Sequence, residues 1–179
     1  MEKPDILLTI DYGQVCAEGE VRADKYSASL LSLRHETILA PLRKLGAGDM
    51  TGLSHFKDEG PPEHWPYRNQ MLITLAAMRY QRENLTQIVI GTVKSDNIHS
   101  DGTSQFISAM EQALIAQNSN LKLSAPAHDM TSEELARVSG ISADLMRWTF
   151  SCHRANVACG GCRGCSKTLE ILNKLESPQ

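Results

Sequence analysis

Four of the chain's five cysteines, Cys152, Cys159, Cys162 and Cys165, fall within fourteen residues and are spaced C-x6-C-x2-C-x2-C. No other feature restricts the fold as strongly. Two-residue gaps let successive thiolates converge on one point, and Gly160, Gly161 and Gly164 relax the backbone where a tight knuckle needs unusual torsions. Zn²⁺ takes about four soft ligands in a tetrahedron at ~2.3 Å, and four thiolates meet that demand. The competing readings are two disulfides or four buried thiols. Disulfide frameworks belong to small secreted chains, and nothing here looks secreted. The start Met1-Glu-Lys-Pro-Asp is polar, and the apolar run 6–10 is too short for a signal core or a membrane span. Reduced cysteines without an export signal predict a cytoplasmic protein. His153 is able to replace one ligand, but four cysteines leave it no vacancy. A site filled by four thiolates is closed, so the zinc is expected to be structural. Cys16 stands apart and is expected to be a buried thiol in the first helix.

The other 165 residues read as an α/β domain. A chain of 179 residues is enough for one domain and too short for two well-packed ones. The expectation is a single domain over 1–179 with residues 148–179 as its zinc-binding lobe. A net charge of −3 excludes a strongly basic nucleic-acid binder, so no direct nucleic-acid contact is expected. Arg154, Arg163, Lys167 and Lys174 make the C-terminal end locally basic, either as a solvated face or as a contact for phosphates or an anionic partner.

Residues 5–13 form a short apolar run ending in Asp11 and Gly13, which predicts a buried strand of a parallel sheet. Its C-terminal edge, where open α/β sheets bind ligands, carries Asp11, Tyr12, Gly13 and Gln14. A helix is expected over 17–32 with Val21, Tyr26, Ala28 and Leu31 toward a core, then a strand over 35–39 stopped by Pro41. Residues 46–66 hold four glycines and three prolines and predict a long irregular loop with His55, His64 and Trp65 in it. The next helix spans 68–82, apolar nearly all round at Met71, Leu72, Leu75, Ala76 and Met78, so other elements should cover it. Arg68 and Asn69 sit at its first turn, where free backbone N–H groups can hold an anion. A strand from 87 is ended by Gly91, which lies at the same ligand-binding edge. The polar loop after it carries Asp96, His99 and Asp101, suited to acid–base work or ligand hydrogen bonds and equally to turn chemistry. A helix over 104–117 should bury Phe106, Ile107, Met110, Ala113 and Leu114, and a strand over 121–126 follows. Thr131-Ser-Glu-Glu134 is a capping box for a short helix ended by Gly140. Ser142 can cap another through Met146, and a last helix is expected over 166–175. Strand and helix alternate, which is the pattern of a parallel sheet.

In chain order, Asp11-Tyr12-Gly13-Gln14, Pro66-x-Arg68-Asn69, Gly91 through Asp96, Phe106 and Cys152…Cys159-Gly160-x-Cys162-x-x-Cys165 form a pattern that resembles the 7-cyano-7-deazaguanine synthases. The resemblance covers nearly the whole chain. It implies the adenine nucleotide alpha-hydrolase-like, Rossmann-like fold with a C-terminal zinc knuckle. It also implies ATP-dependent conversion of 7-carboxy-7-deazaguanine and ammonia to the nitrile preQ0, on the way to queuosine in tRNA. The implied reaction adenylates the carboxylate, and an amine then displaces AMP. The implied cofactors are Zn²⁺ on Cys152, Cys159, Cys162 and Cys165, and ATP, with Mg²⁺, as co-substrate. Asp11, Tyr12, Gly13, Gln14, Arg68, Asn69 and Gly91 would serve the nucleotide, and Asp96, His99 and Asp101 the deazapurine. No separate feature assigns the catalytic acid or base. The implied partners are small molecules, with room for a homo-oligomer or a protein partner, and no membrane.

Two departures bear on this. Family members open with a strand and a Ser-Gly-Gly-x-Asp-Ser phosphate loop, which this sequence does not contain. In that fold the first strand is central, so its loss would open a gap between the strand at 5–11 and the strand at 87–91. The expectation is a truncated or misplaced start, a closing of the gap, or a strand from another chain. The family's Tyr-Pro-Asp-Cys segment stands here as His99-Ser100-Asp101-Gly102-Thr103, which keeps only the aspartate. That favours a synthase-like branch with a different acceptor, such as a protein; a non-catalytic zinc-stabilised module is the remaining alternative.

Overall fold

The computed structural model describes residues 3–55 and 60–176. Part of the expected 46–66 loop, residues 56–59, and the extreme ends of the expected 1–179 domain and 148–179 lobe lie outside the described residues. The chain folds as two compact units, Met1–Trp65 with Ile141–Gln179, and Pro66–Gly140. The strands among the described residues form two parallel two-stranded sheets, one in each unit. The α/β class with parallel pairing is as the sequence predicts.

In the first unit, β1 (Ile6–Asp11) and β2 (Arg34–Leu39) pair in parallel from Ile6 opposite Arg34 to Asp11 opposite Leu39. Helix α1 (Ala17–Leu31) makes the crossover. Burial in β1 is complete only at Thr9 and Ile10, so it is less enclosed than the apolar run suggests. Helix α1 buries its smallest residues, Ala17, Gly19, Ala23 and Ala28. Of the side chains expected in its core, Ala28 is buried, and Val21 and Tyr26 are half-buried. Leu31 is 53% exposed, a correction to the expected core face. It lies in the last turn, where the chain reverses through the left-handed Ser32 (φ 51°) and turns away from that side chain. Tyr26 instead stacks on Trp148 at the end of α5 (Ala143–Trp148), ring centroids 4.3 Å apart. Ser142 caps α5 as expected, its Oγ accepting from the Leu145 N–H at 3.1 Å. The last helix, α6 (Arg163–Glu176), starts three residues before the expected position. Cys162 supplies its first-turn acceptors, with the carbonyl taking the Ser166 N–H and Sγ the Cys165 N–H.

In the second unit, α2 (Arg68–Tyr80) and α3 (Ser104–Ile115) pack on the pair formed by β3 (Gln87–Val89) and β4 (Lys122–Ser124). The core is Ile73, Ile88, Met110, Leu114, Leu121 and Leu123. Both strands are shorter than expected because Pro126 ends their shared ladder; the Ile90 N–H still reaches Ser124 O at 2.9 Å. Helix α2 is not covered all round. Ile73 and Tyr80 are buried, Met78 is 68% exposed, and Met71 and Leu75 line a shallow surface cavity of about 290 Å³ with Tyr67, Gln70 and Thr74. Ala113 is likewise exposed, because it lies off the face of α3 that packs on the core through Phe106, Ile107, Met110 and Leu114. Helix α4 (Ser132–Ser139) carries the expected capping box, with Thr131 N–H on Glu134 Oε2 at 2.8 Å and Glu134 N–H on Thr131 Oγ1 at 3.1 Å. Gly140 ends it in the left-handed region.

Candidate functional site

The C-x6-C-x2-C-x2-C segment folds so that its four sulfurs lie within 4.8 Å of one another. Cys152, Cys162 and Cys165 are buried and Cys159 is exposed. The Cys159 and Cys165 sulfurs are 3.9 Å apart. A tetrahedron with bonds of ~2.3 Å has edges of about 3.8 Å, whereas a disulfide closes to about 2.05 Å. The spacing therefore matches a shared soft metal ion and not a pair of disulfides, and all five cysteines are free thiols. Backbone N–H groups feed the sulfurs: His153 and Cys165 donate to Cys162 Sγ, both at 3.4 Å, and Arg154 to Cys152 Sγ at 3.5 Å. Such bonds offset the charge that four thiolates gather. The Gly161 N–H holds the Cys159 thiol down at about 6, while burial pushes the Cys165 thiol up to about 11. Gly164 admits the close approach of the knuckle's two ends, because a Cβ there would lie 1.8 Å from Ser151 O.

Side-chain tethers fix the knuckle within its unit. Asn156, between the first two ligand cysteines, accepts from Gly19 N–H (3.3 Å) and Arg22 Nη2 (2.6 Å) and donates to Glu18 Oε2 (3.2 Å), all on α1. Arg154 Nε donates to Asp49 Oδ2 at 2.7 Å, and Arg163 Nη1 to Glu63 Oε1 at 2.9 Å. Two members of the basic cluster are thus paired with carboxylates. Glu63 is buried, which works against its charge. Its own backbone N–H and the Arg163 guanidinium outweigh that and hold its carboxyl below the usual range.

The end of β1 in the same unit is tightly knotted. Asp11 Oδ1 accepts from Gly13 N–H at 3.0 Å, and Gln14 Oε1 from Tyr12 N–H at 2.8 Å. Gln14 is buried, and its Nε2 donates to Ile10 O (3.2 Å) and Glu20 Oε2 (2.6 Å). Tyr12 is buried edge-on against Trp65, ring centroids 5.0 Å apart. Cys16 donates to Glu20 Oε1 at 3.3 Å, and burial, followed by the Glu20 charge, pushes its thiol far above the ordinary value. It is the inert buried thiol that the sequence predicts.

The second unit holds Arg68, Asn69, Gly91, Asp96, His99 and Asp101. The α2 N-terminus does not present the Asn69 amide to an outside anion, because Asp101 already supplies one. Asn69 N–H donates to Asp101 Oδ2 at 3.2 Å and Asn69 Nδ2 to Asp101 O at 3.0 Å. Asp101 is buried, so its charge is placed where the helix dipole favours it. Asp96 Oδ2 accepts from Val93 N–H at 3.0 Å, and the His99 N–H donates to Asp96 O at 3.0 Å. Gly91 is exposed just beyond β3. Sequence reasoning singles out neither Asn156 nor the buried His128, whose Nε2 lies 3.0 Å from Gly102 O. Asn156 is signalled only by lying inside the cysteine segment; His128, after Pro126, has no periodic signal at all. Among the described residues no helix is long and apolar enough to cross a membrane.

A model of the family described as queuosine biosynthesis protein QueC matches residues 4–176. The 7-cyano-7-deazaguanine synthase of a Nitratiruptor species is 27% identical over 94% of this chain and 82% of that protein. 7-Cyano-7-deazaguanine synthase 1 of Desulfitobacterium hafniense is 26% identical over 88% of this chain and 75% of its own length. The 7-cyano-7-deazaguanine synthase of Porphyromonas gingivalis is 25% identical, with 97% and 84% covered.

Proposed function

The chain belongs to the QueC family of queuosine biosynthesis proteins, and on that premise we propose that it is a cytoplasmic ATP-dependent ligase. It converts 7-carboxy-7-deazaguanine and ammonia to 7-cyano-7-deazaguanine through an adenylated carboxylate. A carboxylate is a poor electrophile; transfer of AMP to one oxygen makes that oxygen a leaving group, and ammonia then displaces AMP. On the way to the nitrile, a second ATP adenylates the oxygen of the resulting amide with release of pyrophosphate, and that oxygen leaves on AMP as the nitrogen gives up its two protons. The observation that carries this reading is the family match over residues 4–176, with relatives named 7-cyano-7-deazaguanine synthase. Asn69 and Asp101, 32 apart in sequence, meet through two hydrogen bonds at the start of α2.

In this reading Asp11, Tyr12, Gly13 and Gln14 are the nucleotide residues of the first unit, Arg68 and Gly91 those of the second, Asn69 acts by positioning Asp101, and Asp96, His99 and Asp101 serve the deazapurine. The buried Gln14 acts by fixing the Asp11–Gly13 turn. Cys152, Cys159, Cys162 and Cys165 hold Zn²⁺, which supplies a structural cross-link. Residues 148–179 make up the chain's metal-binding lobe. The test is to incubate the metal-loaded protein with ATP, Mg²⁺, 7-carboxy-7-deazaguanine and ammonium. AMP, pyrophosphate and the nitrile should appear together, and less of each with Asn69→Ala. Folded, metal-loaded protein that releases no AMP would mean a non-catalytic zinc-stabilised module. Gly102, where the family has cysteine, favours a second reading in which the acceptor is a protein amine. AMP release without nitrile, together with a deazaguanine mass added to a protein, would select it.

A further inference from the structure

The loop from Val93 to Thr103 carries Asp96, His99 and Asp101, and the second unit holds it from one side. Residues 125–130 form two consecutive turns, His128 N–H to Ala125 O at 3.1 Å and Met130 N–H to Ala127 O at 3.0 Å. These turns touch the loop at both ends. Near its start the Lys94 N–H donates to Met130 O at 2.9 Å, and near its end His128 Nε2 lies 3.0 Å from Gly102 O. A carbonyl only accepts, so Nε2 carries the proton and donates. His128 and Gly102 are both buried, so water does not readily replace that bond. Gly102 also fits against the loop's own backbone, because a Cβ there would fall 2.3 Å from Asp96 O. The turn is thus pinned between Asp96 on one side and the His128 imidazole on the other.

Asp101 precedes Gly102 and grips Asn69 with both its carboxylate and its carbonyl. The geometry points to His128 as a positioning residue: by holding the Gly102 carbonyl it sets Asp101, and through Asp101 it sets the first turn of α2. It touches neither the Asn69 amide nor the atoms proposed to meet substrate. That Asn69 and Asp101 belong to a ligase site rests on the function proposed above; the linkage from His128 to Asn69 rests on the hydrogen bonds alone.

The experiment reads the linkage directly, by hydrogen exchange at the Asn69 backbone amide in the full chain. His128→Ala should speed exchange at Asn69 about tenfold, the size of one lost hydrogen bond. Exchange at Met110 and Leu114 in the core should stay unchanged. His128→Gln keeps an N–H at nearly the Nε2 position and should retain protection to within about threefold. His128→Asn is too short to reach Gly102 O and should behave like alanine. Unchanged exchange at Asn69 in His128→Ala, or an equal rise at Met110 and Leu114, overturns the inference. If His128→Ala does not fold, the asparagine and glutamine variants decide, and equal exchange in those two overturns it. In the AMP-release assay His128→Ala should raise KM about tenfold and change kcat less than threefold. If the unaltered protein makes no AMP, the ligase reading falls while the exchange result still decides the role of His128.

Discussion

Gly19→Ala sets two effects of opposite sign against each other. Gly19 lies inside α1, where replacing glycine by alanine ordinarily stabilises by about 1 kcal/mol. Here the new Cβ would lie 2.5, 2.7 and 2.9 Å from three ring atoms of Phe150. Carbon atoms prefer about 3.5–4.0 Å, so the ring must retreat by roughly 1 Å. Phe150 packs against Cys152, Cys162 and Cys165, and a metal site tolerates shifts of only about 0.2 Å in its ligand distances. The ring therefore has little room, and the overpacking cost belongs near the upper end of the usual range of about 1–3 kcal/mol. The net expectation is a loss of about 2 kcal/mol, or roughly 4–8 °C in Tm for a chain of this size. Thermal unfolding of the metal-loaded protein measures it. Adding Phe150→Leu should recover part of the loss in a double-mutant cycle, since the two sites are in contact. A Gly19→Ala protein as stable as the original, or more so, would refute the claim that the metal knuckle holds Phe150 against α1.

Metal analysis should find one zinc per chain, bound by Cys152, Cys159, Cys162 and Cys165. A structural zinc contributes about 10–16 kcal/mol in peptide hosts, as much as a whole domain's ~5–15 kcal/mol. Chelation, or Cys162→Ser, should therefore abolish cooperative unfolding of the first unit; a transition unchanged by chelator would show that the knuckle does not bear on stability. In the metal-free chain, iodoacetamide should label Cys159 before the buried Cys152, Cys162 and Cys165, and bound metal should protect all four. Peptide mass mapping reads the order, and simultaneous labelling would contradict the buried geometry. Glu63 has a carboxyl held below its unfolded value, so its contribution is present above about pH 4.5 and is lost as pH falls through the folded value. Arg163→Met removes the guanidinium and leaves burial, which opposes the charge, so acid unfolding followed by Trp65 fluorescence should begin at higher pH; an unmoved midpoint would show that the pair does not hold Glu63.

Features encoded within a few residues are legible in the sequence itself. The C-x6-C-x2-C-x2-C spacing predicted convergent sulfurs, because two-residue gaps leave a short chain little else to do. Thr131-Ser-Glu-Glu134 and Ser142 predicted helix starts because a cap is a bond between a side chain and an amide three residues on. The α1 and α3 spans and the β2 strand follow from residue pattern in the same way. Which face an amphipathic helix buries is not fixed by its spacing. Leu31, Met78 and Ala113 fit a core by periodicity and stand exposed, because burial depends on what lies opposite and not on spacing.

The family, the metal-binding chemistry and the alternation of strand and helix are written in residue identities over short separations, and they could be read from the chain alone. The pairings between distant residues could not. That Asp101 meets the α2 amide at Asn69, that Gln14 is spent on its own strand and Glu20, that Arg154 and Arg163 answer Asp49 and Glu63, and that His128 bears on Gly102 all emerge only in the folded molecule. A histidine, a glutamine or an arginine has donors enough for many partners, and the folded backbone selects among them by bringing one acceptor within about 3 Å and keeping water away.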